Sequence, residues 1–232
     1  MSLDFRLSDR IDWEALKTDF ARRGRVEIDG LLEDGQAEAL RTHLLGRDDW
    51  TLVMNAGEKV YELSRKAHHA LDASQRRELD HHIVAAGRHG FQYRYEAIRA
   101  PDGGDAAAAD PIARFVAFLS SAEVLGRLND LLGGSATFAD GQATSYSDGH
   151  FLTCHDDNVA GKARQAAYVF SLTPAWRAEW GGLLMFHGAD GNIEEGFAPR
   201  MDALSLFSVP QHHSVRYVAP LGLEPRVSIT SW

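Results

Sequence analysis

The sequence predicts an α+β protein in which helices stack against one face of a β-sandwich or barrel. Three observations lead there. Apolar residues recur at helical spacings through roughly the first 135 residues, period-two alternation dominates after Gly133-Gly134, and the later strands are short and set off by Gly, Pro, Asp and Asn.

The elements follow in order. Ser8 or Asp9 is placed to cap a first helix, in which Trp13, Leu16, Phe20 and Ala21 share one face. Arg25-Val26-Glu27-Ile28-Asp29-Gly30 alternates polar and apolar, as a half-buried strand does, and leads to a second helix at about 34–45. Residues 50–54 and 59–63 read as a strand pair around Asn55-Ala56-Gly57-Glu58, where Asn and Gly suit a hairpin turn. A charged helix at 74–88 precedes the aromatic strand Phe91-Gln92-Tyr93-Arg94-Tyr95. The low-complexity stretch 100–109 is expected to be a mobile loop, and helices at 111–119 and 122–132 close this half. Strands are expected at 136–146, 150–154, 166–172, 183–186, 203–208, 214–218 and 227–232, with no internal repeat.

Composition narrows the function. With 232 residues, 44% hydrophobic and 25% charged, the chain has the make-up of one globular domain, helical support at 1–135 and a β-core at 136–232. A core of this size needs neither disulfide nor structural metal, so a metal here would serve function. Against 33 acidic residues stand 24 basic ones, a net charge of −9, which argues against binding a phosphate backbone and hence against a nucleic-acid partner. Cys154 is the only cysteine, which excludes an intramolecular disulfide, a CxxC motif and a four-cysteine zinc site; the cytoplasm is the expected compartment. The charged start, Met1-Ser2-Leu3-Asp4-Phe5-Arg6, is no secretory signal, and no apolar run reaches membrane-span length. Oligomeric state is left open.

Among eleven histidines only one is followed two places later by a carboxylate, in His155-Asp156-Asp157. In extended backbone residues i and i+2 point to the same side, so His155 and Asp157 would converge on one ion while Asp156 faces away. A third ligand must come from another strand, and His212-His213 stands at the start of the strand-like Ser214-Val215-Arg216-Tyr217-Val218. Two imidazoles and one carboxylate leave three metal positions open, the facial arrangement of non-haem Fe(II) oxygenases, whereas a closed tetrahedral zinc site has no such room. Thirteen residues beyond His213 comes Arg226-Val227-Ser228, in a terminal strand where Arg226, Ser228 and Thr230 share a face. A guanidinium fork with a neighbouring hydroxyl suits the far carboxylate of a dicarboxylic keto acid.

The stretch Tyr146-Ser147-Asp148-Gly149-His150-Phe151-Leu152-Thr153-Cys154-His155-Asp156-Asp157 resembles the Tyr, Gly, Leu, His-x-Asp signature of the Fe(II)/2-oxoglutarate-dependent dioxygenases of the prolyl-hydroxylase-like group. The run from Arg164 through Tyr168-Val169-Phe170-Ser171-Leu172-Thr173-Pro174-Ala175-Trp176 to Gly181-Gly182-Leu183-Leu184 is similar to that of the eukaryotic ribosomal-protein prolyl hydroxylases. So is the close, His213-Ser214-Val215 to Arg226-Val227-Ser228-Ile229-Thr230-Ser231-Trp232. The resemblance covers roughly Phe138 to Trp232 and the helical half only loosely.

It implies a double-stranded β-helix, a cupin-like jelly roll, with Fe(II) held by His155, Asp157 and His213, the His-x-Val spacing selecting His213 over His212. It implies Arg226 on the distal carboxylate of 2-oxoglutarate, Tyr146 and Ser228 as hydrogen-bonding helpers, and dioxygen as the second cosubstrate. The implied activity is hydroxylation of a prolyl residue in a protein or peptide. A free amino acid or small metabolite is the alternative substrate, and a non-catalytic cupin-like metal-binding module the alternative class. Two departures alter the pocket wall: Ser171 stands where those relatives commonly have Tyr, and Ser231 where they have Gly. The chain is also too short for their second, non-catalytic domain.

Other residues receive milder expectations. His150 is read as either facing the substrate cavity or solvated in a loop, His68-His69 and His81-His82 as surface residues, and Trp176 and Trp180 as packing or rim. Cys154 is expected to be a buried thiol turned away from the metal. Asn55–Glu58 and Ala100–Asp110 are candidate covers for the substrate.

Overall fold

Helix and strand alternate up to residue 132, and strand dominates thereafter. In this computed structural model, which describes residues 3–101, 104–159, 161, 163–222 and 224–231, the first half holds α1 (Trp13–Arg23), β1 (Arg25–Asp29), α2 (Gln36–Leu45), β2 (Thr51–Ala56), β3 (Lys59–Ser64), α3 (Arg65–Ala70), α4 (Ala73–Gly87), β4 (Tyr93–Arg99), α5 (Gly104–Ala109), α6 (Pro111–Leu119) and α7 (Ala122–Leu132). The second holds β5 (Gln142–Tyr146), β6 (Phe151–His155), β7 (Ala166–Leu172), β8 (Leu184–His187), β9 (Ile193–Phe197), β10 (Met201–Ser208), β11 (His213–Val215) and β12 (Arg226–Thr230). Local chemistry sets the helix ends. Asp72 and Gln75 form a reciprocal capping box on α4, Asp110 caps α6 with Pro in its first turn, and Gly133 ends α7 in the left-handed conformation.

All the pairings are antiparallel, in the order β1-β10-β7-β12-β5-β4-β6-β11-β8-β9, with the β2–β3 hairpin added to β4. The eight strands of the second half divide into β10-β7-β12-β5 and β6-β11-β8-β9, and the chain shuttles between the two groups, which is a double-stranded β-helix. β4 makes the corner: its Glu96–Arg99 end pairs with β5 and its Tyr93–Arg94 end with β6.

Period-two alternation decides what each strand of the larger layer faces. Tyr168, Phe170 and Leu172 of β7, Leu204 and Leu206 of β10, and Val227 and Ile229 of β12 join one apolar core with Phe20, Leu40, Leu44, Phe115, Val124 and Leu128 of the helices. Each such Leu, Ile or Phe contributes about 1.5–3 kcal/mol relative to exposure, so this seam fixes the register of the sheet beneath the helices. The intervening residues turn into the barrel. At its far edge Arg25, its side chain nearly buried, pairs with Glu194 and Glu195 of β9 and lies over the Phe186 ring, joining β1 to the smaller layer.

Several expected elements differ. α1 starts at Trp13 under an Asp12 cap, because Leu7 bridges Leu32 and Ser8 N–H donates to Leu31, which hold residues 7–8 extended. The aromatic strand runs 93–99 rather than 91–95, since Asn55 binds Phe91 O and Tyr93 N–H through its side chain and holds 91–92 outside the ladder. The expected mobile loop at 100–109 contains α5, its alanines favouring helix, while residues 102 and 103 lie outside the described residues. α3 and β9 were not foreseen. Residues 136–141 are not strand; β5 begins at Gln142. Trp232 lies outside the described residues.

Candidate active site

His155 is the last residue of β6 and His213 the first of β11, and the two are direct partners across the ladder. Their rings lie 4.1 Å apart between centroids. The pairing shifts register between His213 and Val215, whose partners are His155 and Leu152, so one extra residue of β6 is accommodated there. That bulge lets Leu152 and His155, an odd distance apart, line the same cavity. Asp157 comes to them differently from the extended i, i+2 geometry expected. β6 stops at His155, and Asp157 has a left-handed φ of 59° that swings its carboxylate back over the strand end. Asp156 Oδ1 accepts from Asn158 N–H at 3.0 Å, which shapes this turn.

The three side chains offer one ring nitrogen of each histidine and a carboxylate oxygen, all within 4.8 Å of one another. Asp157 Oδ1 is 3.4 Å from His155 Nε2, and Oδ2 is 3.6 Å from His213 Nε2. Each imidazole is oriented from behind: His155 Nδ1 lies 3.0 Å from Thr153 O and His213 Nδ1 2.8 Å from Gln211 O. A carbonyl can only accept, so both Nδ1 atoms carry the hydrogen and both Nε2 lone pairs face the cluster, as metal ligation requires. Burial, reinforced by the neighbouring His155, pushes His213 down to about 4, which keeps its ring neutral. Burial works to raise Asp157, but His155, His213 and Arg164 outweigh it and hold the carboxyl below its ordinary value. Two imidazoles and one carboxylate form a mixed N,O donor set suited to Fe(II).

The cluster opens into a cavity of about 240 Å³ between the layers, walled by Leu152, Val169, Leu184 and Phe207 and by the aromatic run Phe91, Tyr93 and Tyr95. Arg226 lines the same cavity, 2% exposed, with Nε and Nη1 lacking any hydrogen-bond partner among the described residues. Its guanidinium lies 5.0 Å from the Tyr146 ring, which in turn stacks on Tyr95 at 5.4 Å. Burial lowers the Arg226 pKa, yet arginine stays charged in proteins, so the pocket carries a buried cation with donors to spare. Such a group fits a carboxylate.

The remaining sequence-selected residues distribute unevenly. Ser228 is fully buried beside Thr144, hydroxyl to hydroxyl at 2.9 Å, and it is Thr144 that lines the cavity. His212 is exposed. His150 is neither solvated nor at the cavity wall: it is buried, takes a hydrogen bond from Ser147 N–H, and burial with Arg94 nearby pushes it down to about 4. Cys154 is exposed, not buried, because the face of β6 opposite the cavity is open to solvent there. Trp176 bonds Gly181 O and packs edge-on against Trp180. Sequence reasoning missed Thr144, Tyr95 and the placement of Arg164, whose Nη1 is 3.7 Å from Asp157 Oδ2; the alternation of Gln142, Thr144 and Tyr146 was the available signal for the first.

Residues 141–232, which span β5 to β12, match the family described as the 2OG-Fe(II) oxygenase superfamily. Among solved structures the chain is similar to a Pseudomonas putida prolyl-4-hydroxylase, with 18% identity, a TM-score of 0.60, and coverage of 95% of this chain and 97% of that one. A 2OG-Fe(II) oxygenase family oxidoreductase from Burkholderia pseudomallei gives 15%, 0.59, 100% and 94%. A Trichoplax adhaerens prolyl hydroxylase, in complex with a hypoxia inducible factor oxygen degradation domain peptide fragment, gives 17%, 0.58, 95% and 87%. No curated protein matches the sequence.

Proposed function

We propose that this chain is an Fe(II)- and 2-oxoglutarate-dependent oxygenase that hydroxylates a prolyl residue of a protein or peptide, acting as one domain over 1–232, in the cytoplasm; the family match over 141–232 supports the oxygenase part of this reading. Its cofactor set is Fe(II), 2-oxoglutarate and dioxygen. The observation that carries the reading is Arg226: a buried guanidinium with two nitrogens unpartnered among the described residues, in the same cavity as the His–Asp–His cluster. A cavity with metal donors at one place and an unsatisfied cation at another suits a keto acid with a second carboxylate.

In this reading His155, Asp157 and His213 hold the metal, and Arg226 takes the distal carboxylate over the Tyr146 face, with Ser228 supporting through Thr144. Fe(II), once bound, supplies the oxidising chemistry that couples decarboxylation of 2-oxoglutarate to hydroxylation. The protein's own contribution is geometric. Thr153 O and Gln211 O fix both imidazole planes, Phe207 packs edge-on against His213 at 4.6 Å, and Leu152, Leu184 and Val169 keep the interior apolar and dry. Apart from Asp157 no acidic side chain lines the cavity among the described residues, so a free amino acid would find no carboxylate beyond the metal cluster to pair with its ammonium. That favours a residue embedded in a peptide, as does the peptide-bound prolyl hydroxylase of similar fold, and it supports placement in the prolyl-hydroxylase-like group.

The test is succinate formation from 2-oxoglutarate by the iron-loaded protein, with capped prolyl peptides against free proline as substrates and mass analysis for one added oxygen. Succinate requiring iron, oxygen and Asp157, with oxygen inserted into a capped peptide, supports the reading. Oxidation of free proline in preference to every capped peptide overturns the substrate class.

A further inference from the structure

Asp157 is the cluster member with least support from the fold. His155 and His213 sit on paired strands and are held through Nδ1, whereas Asp157 lies past the end of β6 on a left-handed residue. Among the described residues, a side chain that meets it from outside the cluster is Arg164. Its Nη1 stands 3.7 Å from Asp157 Oδ2, and its Nη2 stands 3.5 Å from Oδ2 of Asp140. Arg164 is largely buried, with 12% side-chain exposure, and lines the cavity. It enters from the start of β7, directly after Ala163, another non-glycine residue with positive φ at 45°. The two ends of the β6–β7 connection are thus bent through unusual backbone, and one ion pair spans them.

We propose that Arg164 is the positioning residue for the metal-binding carboxylate: anchored by Asp140, it holds Asp157 Oδ2 and leaves Oδ1 as the oxygen presented to the metal. This rests on the assignment of His155, Asp157 and His213 as the metal ligands. A guanidinium suits the role because its planar fork can engage one carboxylate on each side, while an ammonium serves as a point charge. Outer partners of this kind commonly change metal affinity 10–100-fold, roughly, when removed.

The experiment titrates the protein anaerobically with Co(II) and reads the dissociation constant and visible absorption spectrum, with no turnover involved. Arg164→Met is expected to weaken Co(II) binding at least about tenfold and to change the spectrum. Arg164→Lys should recover part of the affinity. Asp140→Asn should weaken binding in the same direction, and the Asp140→Asn, Arg164→Met double variant should be no worse than Arg164→Met alone, because in this proposal Asp140 reaches the metal-binding carboxylate by way of the arginine. Affinity within twofold of wild type in Arg164→Met and a further variant, Arg164→Gln, overturns the proposal, as do additive losses in the double variant. Failure of the underlying assignment looks different: the wild-type protein itself would bind no Co(II), or Asp157→Asn would bind as wild type does.

Discussion

Replacing Arg226 by Met should make the ligand-free protein more stable while destroying its response to 2-oxoglutarate. Two buried nitrogens of Arg226 have no partner among the described residues. A buried unsatisfied polar group costs about 1–3 kcal/mol, more when charged, so the pair costs about 2–6 kcal/mol in the ligand-free fold. Against this stands the Tyr146 ring 5.0 Å away, a contact contributing up to about 2 kcal/mol when desolvated. Met keeps most of the apolar volume. From the middle of that range, about 4 kcal/mol, less about 2 for the ring contact, the balance predicts a gain of about 2 kcal/mol, or roughly 4–8 °C in Tm for a domain of this size. The ligand effect runs the other way. Removing one partner of a buried charge pair costs about 3–5 kcal/mol, which weakens 2-oxoglutarate binding by a factor of about a hundred or more. The assay is thermal unfolding of the Mn(II)-loaded protein with and without 2-oxoglutarate. At a hundred times its Kd the ligand should stabilise wild type by about 2.7 kcal/mol and leave Arg226→Met unmoved. A variant with lower ligand-free Tm and an intact ligand shift would refute the reasoning on both counts.

Three further outcomes are expected. Asp157→Ala should abolish iron-dependent succinate formation with little change in unfolding free energy, because it removes a half-buried carboxylate outside the main core; substantial residual turnover would reassign the ligand. His150 titrates near 4 in the fold against an ordinary 6.5, burial being the main cause. The unfolded chain therefore binds a proton that the folded one refuses between these values, so stability present above 6.5 is lost as pH falls towards 4, by up to about 3 kcal/mol. Urea titrations should show this slope shrinking in His150→Gln. Gly181→Ala should destabilise by more than about 2 kcal/mol, since Gly181 has φ 75° and ψ −154° and a Cβ there would lie 1.9 Å from Tyr217 O; an unchanged urea midpoint would mean that the backbone shifts freely at this turn.

The legible parts of the molecule were those written in period and order. β7 alternates strictly between the helices and the barrel, and its bounds coincide with those read from the sequence, 166–172. The ordered set His155, Asp157, His213 and Arg226 lies on widely separated stretches of chain, yet the strand-like pattern around each residue was enough to suggest convergence. What escaped has physical causes. The inward turn of Asp157 depends on a left-handed residue, and Asp is one of several types that adopt it, so nothing in the string marks it. β9, with Glu194, Glu195 and Gly196 between its apolar ends, lacks a strand-like composition and is held by pairing to β8 and by Arg25. The exposure of Cys154 and the burial of His150 are set by which layers cover them, and no local pattern encodes that. Arg164 acquires its partners only when the ends of the β6–β7 connection meet.

Consider finally the interleaving on β12. Val227 and Ile229 belong to the helix-covered core, whereas Arg226, Ser228 and Thr230 belong to the other face. Neighbouring positions thus answer to unrelated requirements, one set to packing and the other to recognition. Substitutions at the even-numbered positions change the pocket wall without renegotiating how the sheet seats on its helices. A single inserted or deleted residue would exchange the two sets at once, driving a charge into the core and aliphatic groups into the pocket. The fold should therefore tolerate point substitution on the pocket-facing side of this strand, even where Arg226 is lost and cosubstrate binding with it, and be intolerant of any change in length, a contrast that saturation and deletion libraries read for folding would display directly.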